Sequence, residues 1–323
     1  MTENQFISEL DMALNRLPAL ERTDILLDIR EYFLDGREDG KTDSEIAASL
    51  GNPAQIAENL LASYSFSENE LPQKVSNKLI TIPNSLFSDV DIDVQHGSLF
   101  VRPSYDEATT VELVGPHEKL DLSVKVIGDT LFIRLKNLRH WLFMFNFTLK
   151  AVTLNVFIPK KVYQSIAMKS DNGRIDVMQL LGKNITVNTD NGRIQLKEIA
   201  ATSLTAETDN GRITLEKVQS DYINVKTDNG RIELADISGE ITGTTDNGRI
   251  SLQTNKLNQN IDFLTDNGSI VIESRNEPTN ITIHAKTRNG KIDVYGEQNS
   301  RTIFGTGENV IRLKSGNGRV TVK

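Results

Sequence analysis

Thr227-Asp228-Asn229-Gly230-Arg231-Ile232 decides the fold, because the chain keeps returning to it. Forms of this stretch recur at Asn172-Gly173, Asn191-Gly192, Asn210-Gly211, Asn229-Gly230, Asn247-Gly248, Asn267-Gly268, Asn289-Gly290 and Asn317-Gly318. Successive glycines are 19, 19, 19, 18, 20, 22 and 28 residues apart. A steady period near 20 is the mark of a solenoid or array. The flanks alternate: Ile223, Val225 and Thr227 lead in, and Ile232 and Leu234 lead out. Period-2 alternation on both sides makes each arm a half-buried strand. Asn-Gly at the centre predicts a tight turn with positions at positive φ.

Two architectures fit. In an antiparallel meander each Asp-Asn-Gly is a hairpin turn. In a parallel β-solenoid each unit of about 19 residues is one coil, and equivalent residues stack. The solenoid is favoured. Near-identical coils extend one core by translation, and Asn stacked on Asn forms an amide ladder. Eight coils at about 4.8 Å each give a rod near 40 Å.

Stacking would also align charges. Asp171, Asp190, Asp209, Asp228, Asp246 and Asp266 form an acidic row, and Arg174, Arg193, Arg212, Arg231 and Arg249 a basic one. Like charges about 4.8 Å apart in water repel by roughly 1 kcal/mol, which opposite charges three residues away offset. The rows therefore read first as a self-neutralising surface. The sharper alternative is a recognition stripe for a repeating polymer or anionic headgroups. A calcium row is disfavoured by the arginine beside each acid.

Residues 80–163 read as further strands, such as Val90-Asp91-Ile92-Asp93-Val94 and Leu131-Phe132-Ile133-Arg134-Leu135. Gln95-His96-Gly97-Ser98-Leu99 reads as a worn early copy of the repeat. An apolar stretch interrupts the strands with Trp141, Leu142, Phe143, Met144, Phe145 and Phe147, flanked by Arg139 and His140. It fits a hydrophobic plug over the open end of the strand core, a membrane-interface contact or a partner hot spot.

Residues 1–65 read as four short helices. Phe6, Leu10, Ala13, Leu14 and Leu17 recur at helical spacing behind a Thr2/Gln5 capping box. Ile25, Leu26, Ile29, Tyr32 and Phe33 make a second stripe. Thr42 and Glu45 form another capping box before a third helix. Gly51-Asn52-Pro53 then supplies a C-cap, an N-cap and a first helical turn. Residues 66–79 read as a linker. The expected fold is thus mainly β with a small all-α domain ahead of it.

Charge is uneven. The chain carries −8 overall, yet residues 1–70 hold 15 acids against 5 bases. The acidic end argues against direct nucleic-acid binding and suits a basic protein partner. There is no cysteine among the 323 residues, which removes disulfides, thiolate metal sites and cysteine nucleophiles. The four histidines, His96, His117, His140 and His284, lack metal-ligand spacing and a nearby nucleophile. No phosphate-binding glycine loop appears. The expectation is no enzyme, no cofactor and no metal. The polar start Met1-Thr2-Glu3-Asn4-Gln5 is no secretory signal, and no apolar run spans a membrane, so the cytoplasm is the expected compartment.

Two resemblances add to this. Arg16-Leu17-Pro18, Glu31-Tyr32-Phe33-Leu34-Asp35-Gly36, the stretch from Ser44 to Pro53 and Ile56-Ala57 resemble the HAAS domain, the helix-turn-helix-associated α-helical signalling domain of bacteria. The resemblance implies a signalling module that works with PadR-type transcriptional repressors. Many relatives continue into transmembrane helices, whereas this chain continues into strands. Residues 80–323 resemble the bacterial putative-adhesin β-strand-repeat family in the opening alternation, in Val156-Phe157-Ile158-Pro159-Lys160 and in the serial Asn-Gly-Arg-Ile copies. That resemblance implies a β-helix-like fold, brings no catalytic residues, and links some members to envelope stress. The functional expectation is a signalling scaffold. Its acidic helices hold a protein partner, and residues 138–147 are available for a peripheral membrane contact. The rival is an adhesin-like or self-assembling surface protein.

Overall fold

The computed structural model describes residues 1–17, 22–23, 25–26, 29–30, 32–33, 37, 41–63, 77–83, 86–95, 97–115, 120–137 and 152–323. They fall into two compact units.

The first unit holds helices Glu3–Ala13, Asp43–Leu50 and Pro53–Ser63. Three helices are described whole, not four; the expected second helix lies partly outside the described residues. Thr2 accepts from the Gln5 backbone at 3.4 Å while the Gln5 side chain takes the Thr2 N–H at 3.0 Å. Thr42 and Glu45 do the same for the second described helix. Gly51 ends that helix at φ +91°, and Asn52 Oδ1 accepts from Ala54 N at 2.8 Å, just before Pro53. These caps satisfy N–H groups that the helix itself leaves open. The apolar faces meet in one core of Phe6, Leu10, Leu14, Phe33, Ile46 and Ala57. Phe6 and Phe33 pack edge to face at 5.5 Å.

In the second unit, equivalent isoleucines pair rung upon rung. Ile175, Ile194, Ile213, Ile232, Ile250 and Ile270 stand in register on successive parallel strands. All are fully buried, so one apolar column runs through the coils. Ile185, Leu204, Ile223, Ile241 and Ile261 form a second column, from the strands that lead into each Asn-Gly corner. The pairing is parallel, so the meander does not form. The unit is solenoid-like, and its central strands Ile194–Thr208, Ile213–Thr227 and Ile232–Thr245 each run from one corner to the next.

The corner chemistry departs from expectation. None of the eight Asn-Gly pairs has positive φ. The left-handed non-glycine residues are instead Gln179, Glu198, Lys217 and Asp236, one per coil at the opposite bend, with Tyr295 near the C-terminal end. Glycine is required at the Asn-Gly corner for a different reason, close approach of the next rung.

Coil order also departs from simple translation along the chain. In the centre, each coil sits on the one before it. At the C-terminal end, Asn309–Asn317 lies between Ile261–Thr265 and Ile281–Asn289. Val320–Val322 likewise lies between Ile270–Ser274 and Ile292–Val294. The chain leaves one rung open, builds the last rung, then returns to fill the gap. The N-terminal end mirrors this. Asp89–Val94 lies between Thr130–Asn137 and Val162–Ser170, and Ser98–Pro103 between Thr153–Ile158 and Ile175–Met178. The stack therefore has more rungs than the eight Asn-Gly copies.

Antiparallel strands finish the ends. Leu120–Ile127 pairs Thr130–Asn137, and Thr109–Val114 pairs Thr153–Ile158 with Lys78–Ile82 outside it. Arg301–Phe304 pairs Ile281–Asn289 at the other end. Solenoids need such caps, because an open parallel edge is a template for further strands.

Candidate functional site

Each Asn-Gly corner contributes three stacked columns. The glycine column is the tightest. A Cβ placed on Gly192, Gly211, Gly230, Gly248 or Gly268 would lie 1.9 Å from the carbonyl oxygen of the glycine one rung below. No side chain fits there. Gly97 belongs to the same column, since a Cβ on Gly173 would meet its carbonyl at 1.9 Å. His96, its neighbour in the worn copy, lies outside the described residues.

Inside this column runs a hydroxyl ladder. Thr189, Thr208, Thr227, Thr245 and Thr265 donate Oγ1 to the carbonyls of Gly173, Gly192, Gly211, Gly230 and Gly248 at 3.0–3.3 Å. Ser315 bonds Gly268, and Thr287 bonds Gly318, each at 2.9 Å. A buried carbonyl needs a partner, and the Ser/Thr of the repeat supplies it.

Outside it runs the amide ladder. Asn191 donates Nδ2 to Asn172 Oδ1 at 2.8 Å, and Asn210, Asn229, Asn247 and Asn267 each repeat the bond to the rung below at 2.8–2.9 Å. The sequence then skips: Asn317 bonds Asn267, and Asn289 bonds Asn317, both at 2.7 Å. All three columns carry the same rung order.

Arg212, Asp228 and Arg174 of the charged rows form ion pairs with residues outside those rows. Arg212 reaches Glu233 at 3.7 Å and Lys197 reaches Glu216 at 2.8 Å. Lys226 lies 3.9 Å from Asp228 in its own rung. Among the described residues, no group of three acids or histidines is placed to hold a metal ion.

Two clamps were not anticipated from the sequence. Arg134 reaches back to Asp91, bonding its carboxylate at 2.7 Å and its carbonyl at 2.8 Å, with the guanidinium over Phe132. Arg102 does the same to Asp176 at 2.5 and 2.9 Å, with Phe100 beneath it. Arg174 also bonds Asp176, a carboxylate only 6% exposed. Each clamp joins successive rungs at the N-terminal end of the stack. The repeated Phe-x-Arg spacing in Phe100–Arg102 and Phe132–Arg134 was the available signal. Nearby, Lys161 donates to the Phe87 carbonyl at 2.5 Å and lies over the Phe87 and Tyr163 rings. Burial lowers its pKa and raises that of Tyr163.

In the helical unit, Arg37 ties Glu3 to Asp43. The Arg37 hydrogen bond lowers the Asp43 pKa, and the Thr42 N–H lowers that of Glu45.

Trp141, Leu142, Phe143, Met144, Phe145 and Phe147 lie outside the described residues. Val152, which follows that stretch, faces Gly97 in the glycine column. Among the described residues, no helix is long and apolar enough to cross a membrane.

No curated protein matches the chain in sequence. Solved structures are similar to it in chain course. A putative adhesin from Bacteroides fragilis is 17% identical, with 79% of this chain and 99% of that one covered at a TM-score of 0.48. A putative adhesin from Parabacteroides distasonis is 14% identical, covering 78% and 98% at 0.40. A putative lipid binding protein from the same organism is 16% identical, covering 76% and 96% at 0.38. The HAAS family model matches residues 5–59. Neither it nor the second matching family is an enzyme family. That second model, Toastrack DUF4097, matches residues 87–323, and the chain belongs to this family.

Proposed function

We propose that the chain is a non-enzymatic bacterial signalling scaffold built from two modules. Residues 1–65, a helical HAAS unit, bind a basic face of a PadR-type transcriptional regulator. Residues 66–79 link them to the solenoid, residues 80–323, which senses envelope stress or presents the helical unit. The protein works in the cytoplasm, at the inner face of the membrane, with Trp141, Phe143 and Phe145 as a peripheral contact.

The observation that carries this reading is the joining of a HAAS domain to a stack that uses its repeat groups internally. The Asn, Gly and Thr columns bond each other rung to rung, and catalysis has no foothold in them. The acidic excess of the first 70 residues suits a cationic partner.

Co-purification of the full chain from its native host tests the partner. A PadR-type regulator should be recovered with the wild type and lost with Glu9→Lys, Glu58→Lys, two exposed acids on separate helices. Recovery of no such regulator, or equal recovery with both chains, contradicts the reading. Cleavage of the protein by protease added to intact cells would instead favour the surface-adhesin reading.

A further inference from the structure

We infer that the C-terminal end of the stack is an electrostatic docking face for an anionic lipid bilayer, formed by His284, Lys286, Arg288, Arg301, Arg312 and Lys314.

The registers place these residues together. Lys286 stands beside Lys314, and His284 beside Arg312, on neighbouring parallel strands. Arg301 stands beside His284 on the antiparallel strand beyond. All six are exposed, as are Lys291 and Arg319 just past the corner. Neighbouring strands are about 4.8 Å apart and alternate residues about 6.8 Å, so the Lys and Arg cations form a close grid around His284.

The rest of this sheet face is built differently. Along one outward row, Arg134, Asp93, Lys169, Asn188, Glu207 and Lys226 follow one another on adjacent strands. Their signs alternate or lapse to neutral. Thr244 and Leu264 continue the row, and then Lys314 and Lys286 stand side by side. The corner row changes at the same place. Six aspartates give way to Gly316 and then Arg288 in rung order. The one acid in register with the grid is Asp262, beside Arg312; Asp266 lies at the corner next to Gly316. Like charges directly opposite each other destabilise a sheet. Stacking alone would keep the alternation, so the cationic end serves something outside the fold.

The lining of the face selects the partner. A nucleic-acid strand is held by a groove with aromatic stacking platforms. Here the strands of the grid pair in continuous register, and none of its outward residues is Phe, Tyr or Trp. Its edge carries Ile303, 51% exposed, two residues from Arg301. Cations around an exposed aliphatic side chain suit a charged lipid surface, where each Lys or Arg adds to binding independently.

Flotation of the full chain with phosphatidylglycerol-containing vesicles, against pure phosphatidylcholine, tests this. Binding should require phosphatidylglycerol and fade with added salt. Lys286→Glu, Arg288→Glu, Lys314→Glu should weaken it by about 100-fold or more. Lys169→Glu, Lys183→Glu, Lys226→Glu makes the same change in net charge elsewhere and should weaken it much less. Should the first triple variant fail to fold, Lys286→Gln, Lys314→Gln replaces it and should still weaken binding. Trp141→Ser, Phe143→Ser, Phe145→Ser should leave the phosphatidylglycerol dependence in place. No vesicle binding, binding without lipid-charge dependence, or equal losses in the two lysine variants overturns the inference. Tighter binding to a DNA duplex than to vesicles also overturns it.

Discussion

An added methyl at Gly211 would sit 1.9 Å from the Gly192 carbonyl oxygen and 2.8 Å from Thr208 Oγ1. Neither atom can retreat, because that oxygen accepts the Thr208 hydroxyl and both lie in a paired strand stack. Asn229 makes as many ladder bonds, one to Asn210 and one from Asn247, but its side chain is exposed. Water can take over those bonds, so their net worth is small. Gly211→Ala should therefore cost about 3 kcal/mol, and Asn229→Ala only about 1 kcal/mol. Denaturant unfolding of both variants checks the ranking, and a larger loss for Asn229→Ala would show that the amides dominate. The sequence made Asn and Gly equally prominent at all eight copies. It assigned glycine to positive φ, since nothing local reveals how near the next rung comes. Gln179, Glu198, Lys217 and Asp236 carry the left-handed bends without glycine's help. Their mixed identities hid them.

At the scale of elements, the helices were the most legible part. Capping boxes are local, so Thr2 with Gln5 and Thr42 with Glu45 could be read from spacing alone. The Arg37 link between Glu3 and Asp43 could not, because it joins residues distant in sequence. It gives a pH dependence. Asp43 and Glu45 have folded-state pKa values below the ordinary carboxylate values. A depressed pKa adds stability above the unfolded value and loses it as pH falls through the folded one. Helical signal should thus be steady near neutrality and decline below about pH 4. Asp43→Asn should flatten that decline. Circular dichroism at 222 nm across the acid range reads both. An unchanged acid profile in the variant would count against the Arg37 link. Strands were legible wherever apolar residues alternated. Their partners at the ends were not, because Ile-x-Leu or Ile-x-Val flanks fit any rung equally well.

For the whole molecule, rung order is the main finding. The lengthening gaps of 22 and 28 residues before the last two copies were the only hint in the sequence. Out-of-order filling places the chain's last coil inside the C-terminal end and its first coil inside the N-terminal end, and antiparallel strands cover the outer edges. Such ends resist end-to-end growth, which weighs against a self-assembling filament. They also free the terminal coils from the repeat's charge pattern, where the cationic grid appears. The order can be read directly in a chain with no native cysteine. Val271 stands beside Thr321, and Thr321 beside Asp293, on successive strands. Neighbouring rungs are about 4.8 Å apart, within disulfide reach, and second neighbours about 9.6 Å, beyond it. Under mild oxidation, Val271→Cys with Thr321→Cys should cross-link, and Val271→Cys with Asp293→Cys should not. A disulfide in the second pair and none in the first would mean that the coils stack in chain order, contradicting the architecture described.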